Sequence, residues 1–267
     1  MELTRAPLHM LQNYEMDAAD LLKMLGEIVN SKKYADLLQE VARKRASTIP
    51  YAAAVLRNVI ELGKFKTVMI SSYGVREGII FDSLDAAERQ EDPLEAGIDG
   101  LVADEQAAEF GRALADWAVE AAPYTLNARL TTAACRLVDI GALLHPDHRA
   151  DLVFEQVLRA PISGMDHAER TFLALTIFSR HAPTGTPPDL DVINRLLSSD
   201  QQRRARVLGA SMRLGCDLSG RSPALLSAAR LSFTPRAVVL TANTFELEEE
   251  SGTTVNSSAF TAYSSGG

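Results

Sequence analysis

Thr-Val-Met-Ile-Ser-Ser-Tyr-Gly-Val-Arg-Glu-Gly, residues 67–78, reads as a strand that ends on a glycine turn and runs straight into a helix. The β-branched and apolar run Thr67 to Ile70 gives a buried strand over 67–72. Gly74 lets the backbone turn and approach a ligand with no Cβ in the way, and a helix from Arg76 to Ala87 points unpaired N–H groups at the same spot. Together with the helix dipole these groups favour an anion such as phosphate, and the planar guanidinium of Arg76 suits phosphate oxygens. The same spacing also fits a plain strand-to-helix connection in which Arg76 pairs with Glu77 or another exposed carboxylate. Taken alone, the spacing favours that simpler reading.

On either side of the junction the pattern is largely helical. Upstream, helices are expected over Ala18 to Asn30, Tyr34 to Arg45 and Pro50 to Leu62, the last announced by Ser47 and Thr48 with Pro50 in the first turn. The charged stretch 88–100, broken by Pro93, Gly97 and Gly100, reads as a linker, which puts a domain boundary after residue 92. Beyond it Ala107, Phe110, Leu114, Trp117 and Ala121 recur at helical spacing, as do Leu126, Leu130, Ala134, Leu137 and Leu144. These are core stripes, and Trp117 reads as a core residue. Further helices are expected at Ala168 to His181, Leu190 to Ser198, Gln201 to Leu214 and Pro223 to Leu231. Arg236 to Ala242 and Thr244 to Glu249 alternate at period two, as a terminal strand pair would. Residues 251–267, rich in Ser, Thr and Gly, read as a flexible tail.

Composition excludes several classes. A chain of 267 residues, 46% hydrophobic and 23% charged, is sufficient for one large or two ordinary globular domains. The net charge of −8 argues against general affinity for DNA, RNA or anionic lipid. Any polyanion must be met locally, with Arg43, Lys44 and Arg45 or Arg203, Arg204 and Arg206 as the basic clusters, each more often a solvated face. Two cysteines, Cys135 and Cys216, provide no disulfide framework and lack metal or redox neighbours. A reducing cytoplasm is the expected setting. No positively charged, apolar N-terminal segment and no long apolar run occurs, so neither secretion nor a membrane span is expected.

Arg-Lys-Arg-Ala-Ser-Thr-Ile-Pro-Tyr-Ala-Ala-Ala-Val-Leu, residues 43–56, and Ser-Ser-Tyr-Gly-Val-Arg-Glu-Gly-Ile-Ile-Phe-Asp, residues 71–82, together resemble the exopolyphosphatase and guanosine-pentaphosphate phosphohydrolase family (Ppx/GppA). There a similar helix is followed by a strand and a Gly-[Leu/Val]-Arg-Glu-Gly turn. The opening Ala-Pro-Leu-His-Met-Leu-Gln-Asn-Tyr-Glu, residues 6–15, looks like the family's second actin-like domain, and the resemblance continues into residues 105–181 and on to about residue 245. It implies an α/β segment of an actin-like (ribonuclease H-like) domain over residues 1–92, then a mostly α-helical HD-like domain over 93–250.

The resemblance also implies hydrolysis of terminal phosphoanhydride bonds of polyphosphate or guanosine pentaphosphate, assisted by magnesium, in a cleft between two actin-like domains. Gly74, Arg76, Glu77 and Gly78 would bind phosphate. A homodimer is the expected assembly. The family's first domain carries an Asp-x-Gly-Ser-Asn-Ser loop, a catalytic Glu and an Asp-x-Gly-Gly-Gly-Ser loop, none of which appears in this sequence. The expectation is therefore a C-terminal part of such an enzyme, inactive alone, with its catalytic residues and magnesium site elsewhere. A non-enzymatic phosphate- or nucleotide-binding regulatory or dimerisation module is the alternative.

Leu137-Val-Asp-Ile-Gly141, followed by His145-Pro-Asp-His148-Arg, looks like the Leu-His-Asp-Ile-Gly motif of HD-type phosphohydrolase folds, found in a third domain of longer family members. A working HD site needs an upstream His, the His-Asp pair and a later carboxylate. Here Val138 replaces the His of the pair, and no histidine lies between residues 10 and 144. Asp139 alone cannot hold a catalytic metal and reads as a relic that caps or hydrogen-bonds a neighbouring helix. An autonomous HD phosphohydrolase is thus a poor reading. His145, Asp147, His148 and Asp151 read as a polar loop in which Asp147 caps the next helix, and His167 and His181 as packed or hydrogen-bonded residues.

Overall fold

The computed structural model describes residues 8, 10–102, 104–121, 127–233 and 238–242. Among these the protein is mostly helical, with two two-stranded antiparallel sheets. Two compact units divide the chain, one spanning Met10–Ser83 and the other comprising Leu84–Gly267 with Met1–His9. The tail expected over 251–267 lies outside the described residues.

In the first unit, β1 (Tyr14–Asp17) pairs with β2 (Thr67–Ile70) in the register Tyr14↔Ile70 to Asp17↔Thr67. Met16 and Val68 stand opposite each other and pack on the core, while Glu15 and Met69 face outward. The 67–70 segment is thus half-buried, not the fully buried strand expected over 67–72. A two-stranded sheet has one partner strand and one covered face. Asp17 ends β1 and caps α1 (Ala18–Asn30), accepting from the Ala19 and Asp20 N–H groups at 2.8 and 3.3 Å. Leu21, Leu25 and Ile28 form its buried stripe, packed with Ala53 and Ile60 of α3 (Ile49–Gly63) and with Leu38 of α2 (Lys32–Val41). The opposite side of α3 carries Tyr51, Val55, Val59 and Leu62, all exposed, Leu62 at 83%. That apolar stripe has no cover within the unit.

The second unit starts earlier than the boundary expected after residue 92. Residues 88–100 are no linker: they form a 3-10 turn at Glu88–Gln90 and helix α5 (Pro93–Asp99), after α4 (Val75–Ser83) of the first unit. Asp92 caps α5 through the Leu94 N–H at 2.9 Å, with Pro93 in the first turn, and Leu94 and Ile98 are fully buried. Both ends of α5 are tied to α7 (Ala128–Arg136). Arg129 grips Asp92 with two guanidinium nitrogens and Arg136 pairs with Asp99. Two apolar side chains and two ion pairs outweigh the breaking tendency of Gly97 and Gly100.

The centre of this unit is α9 (His167–His181), buried nearly all round. Its polar residues are made compatible with burial by local bonds: Thr171, Thr176 and Ser179 each donate to the carbonyl four residues back, at 2.8, 2.8 and 2.7 Å. Helices α8 (Pro146–Arg159) and α11 (Ser199–Ser219) pack on it most extensively, and α6 (Glu105–Ala121) packs on α7. Phe154 meets Phe178 edge to face, ring centroids 6.2 Å apart. At Gly209 α11 comes so close to α9 that a Cβ would sit 2.4 Å from the Thr176 carbonyl oxygen. Trp117 is a core residue whose Nε1 donates to the Ala229 carbonyl at 2.8 Å.

The end of the chain departs from expectation. The helix expected over Pro223 to Leu231 is only α12 (Pro223–Ser227), and Ala229–Phe233 becomes β3, pairing with β4 (Val238–Ala242). The strand pair therefore joins 229–233 to 238–242, and the expected strand Thr244 to Glu249 lies outside the described residues. The short helix α10 (Leu190–Leu196) precedes α11, whose start is fixed by a Ser198–Gln201 capping box.

Candidate functional site

The strand-to-helix junction is formed as the sequence indicates, with different dimensions. The strand ends at Ile70, the turn runs through Ser71 to Gly74, and α4 starts at Val75 and stops at Ser83, short of the expected Ala87. The turn is held by Gln12, whose side-chain oxygen accepts from the Ser72 N–H at 2.8 Å and the Ser72 hydroxyl at 2.9 Å. Ser71 Oγ accepts from the Tyr73 N–H at 3.0 Å. These bonds aim the chain at the helix entry without a cis bond or left-handed backbone at Gly74.

Glu77 reaches back to Gly74. Its Oε2 accepts the Gly74 N–H at 2.7 Å, and bonds from the Gly74 and Glu77 N–H groups hold the carboxyl below its usual range. The carboxylate thus takes one of the free donors at the helix start. Glu77 acts here as a cap. No ion pair joins it to Arg76, so the plain pairing weighed from the sequence does not form. Arg76 and Gly78 are exposed, and every residue from Ser71 to Ile80 is open to solvent. A Cβ added at Gly74 or Gly78 would meet no backbone atom within 4 Å. The junction offers a guanidinium and helix N–H groups on an open surface. It encloses nothing by itself. The helix buries no residue, and Ile79, Ile80 and Phe81 are exposed.

In the second unit the HD-like segment falls in a turn between α7 and α8. Asp139 is nearly buried and faces two arginines: Arg221 Nη1 stands 3.0 Å and Arg180 Nη2 3.8 Å from its Oδ1. Val138 is fully buried. His145, not Asp147, caps α8: its Nδ1 accepts from the Asp147 N–H at 3.3 Å. The reason is position, since Asp147 already lies within the first turn. His181 ends α9 beside Arg180, whose Nη1 is 2.9 Å from His181 Nε2. Burial first, then Arg180, Arg149, Arg221 and Arg213, push this imidazole down to about 3. It is neutral at physiological pH. Among the described residues no group of three or more His, Cys, Asp or Glu can hold a metal ion.

The basic clusters diverge. Arg43, Lys44 and Arg45 are exposed in the turn after α2, not at a helix end. Arg203 and Arg204 both pair with Asp200, at 2.5 and 2.6 Å, and Arg206 reaches the Gly185 carbonyl at 3.4 Å. No described helix is long and apolar enough to cross a membrane.

Residues 1–87 match the Ppx/GppA phosphatase family, and residues 102–252 match the exopolyphosphatase C-terminal region. No curated protein matches the chain. The first match contains the junction with Gly74, Arg76, Glu77 and Gly78, and the second contains the helical unit around α9 and its two arginines against Asp139. The two matches follow one another along the chain and together span most of its length, so the chain belongs to the Ppx/GppA phosphatase family, a family of phosphate-releasing hydrolases.

Proposed function

We propose that the chain is the C-terminal part of a phosphatase that hydrolyses terminal phosphoanhydride bonds of polyphosphate or guanosine pentaphosphate. Its first unit, in this reading, belongs to the second actin-like domain and its helical unit is HD-like in ancestry. The observation that carries the reading is the pair of family matches in order, the first placed over a strand, turn and helix start that leaves Arg76 exposed. Arg76, with the backbone N–H groups of Val75 and Arg76 at the start of α4, would bind phosphate oxygens and steady the charge that builds on them during transfer. Glu77 would hold the turn rather than touch phosphate, since a carboxylate repels the ligand and its oxygen already serves Gly74.

Among the described residues no group of three or more His, Cys, Asp or Glu gathers around one point, while magnesium in phosphoryl transfer takes few protein ligands and rests largely on water and phosphate. Because the family's phosphate loops and catalytic Glu do not occur in this sequence, magnesium and the carboxylate that activates water are assigned to other parts of the whole protein, and binding and positioning to this chain. The exposed apolar face of α3 and the bare helix α4 support packing against a further partner surface, which in this reading belongs to the intact enzyme or to a second subunit of a cytoplasmic homodimer.

Orthophosphate release from polyphosphate and guanosine pentaphosphate with magnesium tests the reading, measured on this chain and on the chain joined to the first actin-like domain of a family member. The isolated chain is expected to release none, and the joined protein to turn over. Release by the isolated chain at about one per second or faster, within the ordinary range of enzymes, contradicts the division of labour. Inactivity of a folded joined protein on both substrates contradicts the activity.

A further inference from the structure

The helical unit holds a second concentration of positive charge that the proposed reaction does not use. A cleft of about 380 Å³ lies among the end of α9, the start of α8 and the end of α11, lined by Arg149, Arg180, His181, Arg213, Asp217 and Arg221. That volume is at the small end of pockets that take compact ligands. Its lining carries four guanidiniums. Asp217 at the rim and Asp139 behind it are the carboxylates that meet them, Asp217 at 3.5 Å from Arg213. With a neutral His181, four positive and two negative groups leave two positive charges facing the cleft. We propose that this cleft binds a compact phosphate dianion, with arginines standing against Asp139 where an HD fold would present a metal.

Three further features of the lining support a built site. Arg180 is only 7% exposed and is held in place, its Nη1 2.9 Å from His181 Nε2 and its Nη2 donating to Cys216 Sγ at 3.6 Å. Gly220 and Arg221 both sit in the left-handed region, φ +54° and +68°, which a non-glycine residue adopts only where surrounding structure holds it. Here the Ser219 hydroxyl accepts the Arg221 N–H at 3.1 Å, and the result aims Arg221 at Asp139. Arg149 is braced in turn: its Nε and Nη2 donate to the Leu144 carbonyl at 3.2 and 2.8 Å. Burial first, and then these same arginines, hold His181 neutral beside them. Guanidiniums fixed in this way match phosphate oxygens better than ammonium groups would.

The same phosphate chemistry is offered by a free phosphate in solution and by the end of a polyphosphate chain, and titration calorimetry on the full chain separates the two. The probes are sodium orthophosphate, pyrophosphate and long-chain polyphosphate at constant ionic strength. Pyrophosphate should bind in the cleft, and Arg149→Gln and Arg213→Gln should each weaken that binding about tenfold or more, the worth of a charge-assisted hydrogen bond. Asp217→Asn, which removes a repelling carboxylate, should tighten it, and Arg159→Gln, which removes an exposed arginine paired with Glu155 outside the cleft, should leave it unchanged. The imidazole signals of His181 should move during the same titration. Polyphosphate binding more tightly per chain than pyrophosphate, with the same sensitivity to Arg149 and Arg213, assigns the site to a chain end. Weaker or equal binding assigns it to free phosphate. No heat and no movement of His181 with millimolar pyrophosphate overturns the proposal. Undiminished affinity in a folded double variant at Arg149 and Arg213 overturns it equally, and so does an equal loss of binding on Arg159→Gln.

Discussion

Glu77 accepts the N–H of Gly74 at 2.7 Å, closing the first turn of α4 with its own side chain and placing a negative charge at the helix's positive end. Hydrogen bonds from the Gly74 and Glu77 N–H groups lower the carboxyl below its ordinary 4.5. A depressed value in the folded chain means the cap stabilises fully above 4.5 and is lost as pH falls through the lower, folded value. The Gly74 amide proton resonance should therefore move on acidification with a midpoint below 4.5, and Glu77→Gln should abolish the movement. A midpoint at or above 4.5 would show that the bond is not made in solution.

Arg170 is buried in α9 and donates to the carbonyls of Ala160 and Ile162, both at 2.6 Å. Burial draws its guanidinium down to about 10, still charged near neutrality, so the three-residue stretch after α8 is held by a cation meeting backbone oxygens. Arg170→Met keeps the volume and strands those carbonyls, at a cost of about 3 kcal/mol. For a domain of this size the melting temperature should fall by about 10 °C. A melting temperature within a degree or two of the parent's would remove Arg170 from the list of stabilising residues.

The exposed stripe of Tyr51, Val55, Val59 and Leu62 on α3, with Ile79, Ile80 and Phe81 on α4, is more apolar surface than a solitary unit usually leaves in water. The chain should therefore associate, as a dimer or larger, and Val55→Glu combined with Leu62→Lys should shift it toward monomer. Light scattering across micromolar concentrations decides. A parent chain that is monomeric throughout would contradict both the cover assigned to this face and the homodimer.

Helices with clear punctuation were legible in the sequence. Pro50 after Thr48 marks the start of α3, and the apolar spacing from Phe110 to Trp117 gives the buried stripe of α6. The start of α5 was written as clearly, Asp92 followed by Pro93, yet its charged flanks and glycines outweigh that signal until Leu94 and Ile98 are seen to be buried. The strand 67–70 looked wholly buried because β-branched composition does not say how many faces are covered. Helix Pro223–Ser227 ends early because Ala229–Phe233 finds a partner strand, a long-range event. At the candidate site, the strand, turn and helix start around Gly74 followed from local order, whereas the exposure of Arg76 and the capping role of Glu77 depend on how the side chains are placed. The arginine cleft was out of reach: Arg149, Arg180, Arg213 and Arg221 are scattered over the second half of the chain, and only the packing of α8, α9 and α11 brings them together.

The most direct measurement of the central claim is magnesium-dependent orthophosphate release from polyphosphate by the chain joined to the family's first actin-like domain, with Arg76 intact or changed to Lys or Ala, alongside the melting temperature of each protein. A guanidinium that binds phosphate in a two-pronged, charge-assisted way cannot be replaced by an ammonium. Both variants should lose turnover on the order of tenfold to a thousandfold, with melting temperatures unchanged because Arg76 is exposed. Undiminished turnover in Arg76→Ala would contradict the account.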